Sequence, residues 1–430
     1  MPERKRDSTQ QPATLAQKLV ARAAKRAWVD AGEIVTCDVD LAMFHDSSGP
    51  RRLQPMLESL GASIRDPSRV VLVLDHYVPE RDDESRRIVR IARDWAAQVG
   101  LPHVHDSEGI CHVVLPQRGH LRPGMFAVGG DSHSPTGGAF AAYMFGVGAT
   151  EMLSVLVTGQ IWLQVPQTIL MRFDGALADA VSAKDLMLFL LGRFGMNGGR
   201  YQAVEYAGSA IDAMPMAERM TMCNMTAELG GQTGLIGADA TTLAWLAEHG
   251  VPDADAGPWH TDGGAPVAEA HVFDAGRIAP QIALPHSPAN SHPVTDAAGT
   301  AIDVAYLGAC TGAKLEDLRA AARVLRGRRV AASTTLLVAP ASLREQQAAA
   351  ADGTLQALLD AGAQLLPLGC GACAGYGRSI PEGATVISST ARNFRGRMGA
   401  ATARIYLGSP YTVAASALHG RIADPREALE

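Results

Sequence analysis

The chain has 430 residues, of which 47% are hydrophobic and 19% charged, and its formal net charge is −6. That length exceeds the roughly 100–200 residues of a typical domain, so more than one folded unit is expected. The lack of a basic excess excludes a sequence-wide footprint for nucleic acid or for an anionic membrane surface. No apolar run reaches the roughly 20 residues needed to span a bilayer. Residues 1–12 are polar, lack the apolar segment of a secretory signal and read as a frayed tail. Six cysteines in a chain this long do not make a disulfide framework, so a reducing, cytoplasmic location is expected.

The first pattern is helical. Leu15, Leu19, Val20, Ala23, Ala24 and Trp28 recur at a spacing that predicts an amphipathic helix over 13–28. Short apolar runs then alternate with helical stretches: Val70–Leu74, 125–128, 168–173 with a helix over 182–194, then 301–307, 330–338, 364–368 and 384–387. Such alternation predicts α/β layers with largely parallel sheets. Residues 251–300 are rich in Pro, Gly, Asp and His and read as an irregular linker. Polar loops follow the strands directly: Asp75-His76, then Asp131-Ser132-His133, Cys310, Cys370, and Ser388-Ser389 leading to Arg392. In open α/β sheets ligands bind outside the carboxyl ends of strands, so this placement predicts one composite site.

Cys370-Gly371-Ala372-Cys373 is a C-x-x-C in a glycine-rich loop, and Cys310 stands in a second such loop. A thioredoxin-like pair would sit near the start of a helix in a small βαβ domain, and a structural zinc site would want four ligands. Structural cysteines, zinc and an iron–sulfur cluster all remain open from spacing alone. Three thiolates on a cubane would leave one iron without a protein ligand, free to act as a Lewis acid on a substrate hydroxyl and carboxylate. Cys37, Cys111 and Cys223 read as buried small apolar residues.

Gly308-Ala309-Cys310-Thr311-Gly312-Ala313-Lys314 and Gly369-Cys370-Gly371-Ala372-Cys373-Ala374-Gly375 resemble the two cluster-ligand motifs of the aconitase and isopropylmalate isomerase family. Asp131-Ser132-His133-Ser134 resembles that family's D-S-H-T signature. Asp75-His76, Cys111-His112, Cys223-Asn224 with Glu228, and Arg392-Asn393-Phe394-Arg395-Gly396-Arg397 follow in the family's order, from about residue 13 to about 415. The resemblance implies three aconitase-like α/β domains, over 1–165, 166–285 and 286–430, around a shared [4Fe-4S] cluster held by Cys310, Cys370 and Cys373. One iron would carry no protein ligand. The family's swivelling domain has no counterpart here, and the resemblance implies that a separate small subunit supplies it together with the serine base.

The implied activity is a hydro-lyase that dehydrates and rehydrates a hydroxy-di- or tricarboxylic acid, by default interconverting 3- and 2-isopropylmalate. A homoaconitase or a dehydratase for another substituted malate is the alternative. A non-catalytic RNA- or partner-binding relative and an electron carrier are the readings of other classes, and the net charge and the three-ligand count speak against them. Asp75-His76 resembles the pair that protonates the leaving hydroxyl, a suitable task for an imidazolium backed by a carboxylate. Asp131 with His112, and Glu228 with His133, resemble two further carboxylate–histidine pairs. His45, Ser132, Asn224, Arg392 and Arg397 match substrate- or cluster-proximal positions, and a planar guanidinium suits a carboxylate. Taken singly, each His reads as a satisfied structural residue, Asn224 as a helix cap, and Arg392 to Arg397 as a solvated stretch. Ser132 is expected to hold its turn through backbone bonds. Gly312 and Ala391 stand where the family usually has Asn.

Overall fold

Val70–Leu74 is apolar throughout because both of its faces are covered, the signature of a parallel strand with helices or sheets on either side. In this computed structural model, which describes residues 11–376 and 380–429, it lies inside a five-stranded sheet. The order is His103–Asp106, Val70–Leu74, Leu41–His45, Phe126–Gly129, Tyr143–Gly146, every pair parallel. Side chains alternate between two cores as the period of two requires. Leu41, Met43, Val71 and Val73 face the larger core, shared with the rest of the molecule. Ala42, Phe44, Val70, Leu72 and Leu74 face the helices Leu15–Ala23 and Asp83–Val99.

A four-stranded parallel sheet follows, with Thr168–Asp174 between Ala203–Ala207 and Glu269–Asp274, and Thr233–Leu235 at its far edge. The third sheet has seven strands. Its parallel part runs Arg404–Gly408, Thr385–Ser388, Val304–Leu307, Thr335–Val338, Gln364–Leu365. Gln281–Ala283 and Ser291–Pro293 add an antiparallel edge. Among the described residues no helix is long and apolar enough to cross a membrane.

Several expected bounds shift, each for a local reason. The first helix spans Leu15–Ala23, held at its start by a Thr14–Gln17 capping box and ended before Lys25, which takes a positive φ of 55°. The run at 330–338 is strand only at Thr335–Val338, and that at 364–368 only at Gln364–Leu365. The expected linker at 251–300 contains three strands, and the third sheet begins at Gln281, ahead of the boundary expected at 286. Ile34–Asp38 and Gln160–Gln164 form an antiparallel ribbon that the sequence reading did not foresee. Most of the stretch read as a frayed tail lies outside the described residues.

The 3₁₀ segment Ser134–Phe140 carries the first sheet onto the second, and Gly138 sits at the closest approach. A Cβ there would stand 1.6 Å from the carbonyl oxygen of Gly234, which is backbone and cannot swing away. Gly138→Ala should therefore lower unfolding free energy by roughly 1–3 kcal/mol or more. Urea denaturation of the two proteins checks this, and equal midpoints would contradict it.

Candidate active site

The first and third sheets point the carboxyl ends of their strands at each other, and the loops leaving those ends interlock. Cys370 N–H donates to the Asp75 carbonyl (2.7 Å) and Ile110 N–H to the Ala341 carbonyl (2.8 Å). Gly369 allows the first of these crossings. Its φ is +118°, and a Cβ would stand 2.6 Å from the Asp75 carbonyl oxygen. Between the loops lies a cavity of about 350 Å³, lined by His45, His76, His112, Asp131, Ser132, His133, Cys310, Cys370, Cys373, Arg392 and Arg397. Asp75, Asn224 and Glu228 stand behind its wall, each bonded to a lining residue.

Asp75 is fully buried, and its carboxylate takes His76 Nδ1 at 2.6 Å and the Cys111 N–H at 2.7 Å. Asp46 braces the same turn by accepting the His76 and Tyr77 N–H groups at 3.1 and 2.7 Å. Burial opposes a charge on His76, but Asp75 and then Asp131 and Asp46 outweigh it, raising the pKa to about 9. His76 therefore carries a proton at neutral pH, with Nε2 left to point at the cavity. The His45 ring stacks on it, with centroids 3.7 Å apart. His45 Nδ1 accepts from the Ser47 and Ser48 N–H groups (3.2 and 3.3 Å), which leaves its proton on Nε2, 3.5 Å from Asp131.

Asp131 is the hub. It binds His112 Nε2 at 2.7 Å and the His133 N–H at 2.8 Å. Burial would raise its pKa, but His112, His133 and His45 hold it well below the usual carboxylate range. His133 Nε2 meets Glu228 at 2.9 Å, and Arg392 Nε meets the same Glu228 oxygen at 2.5 Å. Burial lowers the His133 pKa and Arg392 works the same way, yet Glu228 dominates and brings it to about 9. The bond that holds the Asp131 turn comes from Ser134 Oγ to the Asp131 carbonyl (2.6 Å), not from Ser132, which is exposed at the cavity. That corrects the role expected of Ser132.

One helix reaches the sulfurs through its last residue. Asn224, at the end of Met216–Asn224, donates through Nδ2 to Thr136 Oγ1 (2.8 Å) and to Cys310 Sγ (3.2 Å). All six cysteines are free. Burial and the neighbouring Cys373 push the Cys310 thiol up to about 12. Cys370 donates to Cys373, raising its own pKa and lowering that of its partner, so the pair shares one negative charge. Burial and the charge of each on the others oppose three thiolates here, and a bound metal cluster would relieve both. The buried Asn224 Oδ1, Glu228 Oε2 and Arg397 Nε make no hydrogen bond among the described residues, which leaves polar capacity beside the sulfurs. The donor set fits an iron–sulfur group.

Gly312 has no room for the family's Asn. A Cβ there would fall 2.2 Å from the Ser389 side chain, whose Oγ accepts the Gly308 N–H at 3.0 Å. Ser389 occupies that space from another loop, while Ala391 lines the cavity itself. Sequence reasoning also passed over Lys184 and Lys314, both almost fully buried under the cysteine loops. A lysine inside the Ser182–Asp185 capping box of a very apolar helix was the available signal for the first.

A model described as the aconitase family (aconitate hydratase) matches residues 17–301 and 295–420. The chain belongs to the aconitase family. A 3-isopropylmalate dehydratase large subunit of Methanopyrus kandleri is 39% identical over 97% of this chain and 99% of its own length. A probable methanogen homoaconitase large subunit of Methanosarcina mazei is 42% identical over 91% and 99%. The 3-isopropylmalate dehydratase large subunit of Oleidesulfovibrio alaskensis is 39% identical over 96% and 99%. Among solved structures, the holo-form of Thermococcus kodakaraensis aconitase X covers 87% of this chain and 88% of its own, at 13% identity and a TM-score of 0.49. Membership of the aconitase family implies an iron–sulfur cluster.

Two acids raise the His133 pKa, Glu228 by its charge foremost and Asp131 by a hydrogen bond. Glu228→Gln should bring it from about 9 toward the ordinary 6.5, read by NMR titration of the imidazole in the cluster-free protein. An unchanged midpoint would contradict the assignment.

Proposed function

We propose that this chain is the cluster-bearing large subunit of a hydro-lyase that interconverts 3- and 2-isopropylmalate. The observation that carries the reading is the meeting of three free cysteines and three carboxylate–histidine pairs on one cavity of about 350 Å³. Relatives named as 3-isopropylmalate dehydratase large subunits match nearly end to end. That word "large" supports a small-subunit partner, which would bring the base for the substrate's carbon-bound proton.

Cys310, Cys370 and Cys373 would hold a [4Fe-4S] group, which supplies Lewis acidity toward a substrate hydroxyl through an iron without a protein ligand. His76, kept protonated by Asp75, gives its proton to the departing hydroxyl oxygen. His112 and His133, oriented by Asp131 and Glu228, hold the hydroxyl and the water that later returns. Arg392 and Arg397, both on the cavity lining, take a substrate carboxylate. Loss of a proton donor of this kind costs roughly 10²–10⁴-fold in rate.

Homoaconitase is the second reading, favoured by the 42% identity to the Methanosarcina mazei protein. Anaerobic reconstitution with the small subunit and assay on 3-isopropylmalate, homocitrate and citrate separates the two. Turnover of 3-isopropylmalate is expected; turnover of homocitrate alone would transfer the assignment, and turnover of none would overturn it. The same enzyme should lose dehydration activity as pH rises through about 9, because His76 must be protonated to act. Asp75→Asn should move that alkaline limb downward and cut kcat by roughly 10²-fold or more. A pH–rate profile of both proteins checks it, and an alkaline limb left in place by Asp75→Asn would refute the role of His76.

A further inference from the structure

Lys184 lies in the first turn of the helix Ala183–Phe194 and is only 1% exposed. Its Nζ donates to the carbonyl oxygens of Ser389 (3.1 Å) and Thr390 (2.6 Å), on the loop that leads to Arg392. Both partners are neutral, and no ion pair joins Nζ to a carboxylate among the described residues. The other buried lysine differs, since Lys314 Nζ meets Asp317 at 2.8 Å. An ammonium buried without a counter-charge is strongly disfavoured, and the positive end of its own helix adds to the strain.

Burial accordingly pulls the Lys184 pKa down from 10.5 to about 8, while Glu228, Cys310, Cys373 and Asp317, in that order, work to keep it charged. Glu228 is already engaged by His133 and Arg392, and Asp317 by Lys314. The sulfurs of Cys310 and Cys373 are what remains. The hydroxyl of Thr311, next to Cys310, donates to the same Ser389 carbonyl (2.9 Å), so one peptide group joins the ammonium to the Cys310 loop.

We propose that Lys184 is a positioning residue for the cluster, its ammonium serving as the buried counter-charge that holds the anionic cluster in place and keeps its reduction potential from falling. The inference rests on the reading that Cys310, Cys370 and Cys373 bind an iron–sulfur group. The charge acts across the loop of Ser389 and Thr390, with no bond to sulfur required. Cluster binding and the charged state of Lys184 thus favour each other.

The test compares wild type with Lys184→Met and Lys184→Gln, each as cluster-loaded and cluster-free protein. Gln keeps an N–H donor for the two carbonyls and removes only the charge, so it decides the matter if the Met variant fails to fold. Two readouts are taken: the reduction midpoint of the loaded protein by EPR-monitored titration, and Tm of both forms. In both variants the midpoint should move to more negative potential and the loaded Tm should drop. The cluster-free Tm should hold or rise, because an unpaired buried charge is gone. An unchanged midpoint, or equal destabilisation of both forms, would overturn the proposal and leave Lys184 a tether for the loop. A wild-type protein that shows no iron–sulfur spectrum would instead refute the cluster reading on which it stands.

Discussion

Three sulfurs are held in one buried cavity where their joint ionisation is opposed by burial and by each other. Cys310 feels Cys373, and Cys370 shares a proton with Cys373. Everything around them can be understood as compensation for that charge and for the anionic acid chemistry beside it. Asn224 aims an amide at Cys310, Arg397 bonds Cys373, and Lys184 shares the Ser389 carbonyl with Thr311, next to Cys310. Such a concentration of buried ionisable groups is expensive in folding terms and is typical of a functional site.

The second half of the cavity solves a different electrostatic problem. Four acids and four histidines lie close together, and Asp75, Asp131 and Glu228 are each matched to an imidazole or a guanidinium. Asp131 takes the His112 ring at 2.7 Å and faces His45 Nε2 at 3.5 Å and His76 Nε2 at 4.0 Å, so its charge acts on three imidazoles from one point. Asp46 takes backbone N–H groups instead, and burial together with Asp75 raises its pKa while His76 and His45 pull the other way. The result is a graded set of protonation states within one cavity, with His76 and His133 charged and Asp131 ionised at neutral pH.

Much of the fold was readable because parallel strands covered on both faces give unbroken apolar runs. Val70–Leu74 and Val304–Leu307 stand out for that reason. The ribbon of Ile34–Asp38 with Gln160–Gln164 was hidden, since its exposed face carries Ile34, Thr36, Trp162 and Gln164 in no telling pattern. Gln364–Leu365 is so short that a five-residue apolar run overstated it. In the site, pairs adjacent in the chain, such as Asp75-His76 and the C-x-x-C, were visible directly. His112 with Asp131 and His133 with Glu228 are joined only by the tertiary fold, so they came through family likeness and not through spacing. Lys184 was missed because a single lysine in an apolar helix has no periodicity, and the Ser132 role was misjudged because two serines two positions apart offer the same hydroxyl to one turn.

The central claim is that Cys310, Cys370 and Cys373 act as one ligand set. Iron and acid-labile sulfide should be measured after anaerobic reconstitution of the wild type, of Cys310→Ser, Cys370→Ser and Cys373→Ser, and of Cys37→Ser and Cys223→Ser as controls. The account predicts equal iron and sulfide in the wild type and both controls, and loss of most of both in each of the other three. Full loading of any of those three variants, or no iron in the wild type, would contradict it.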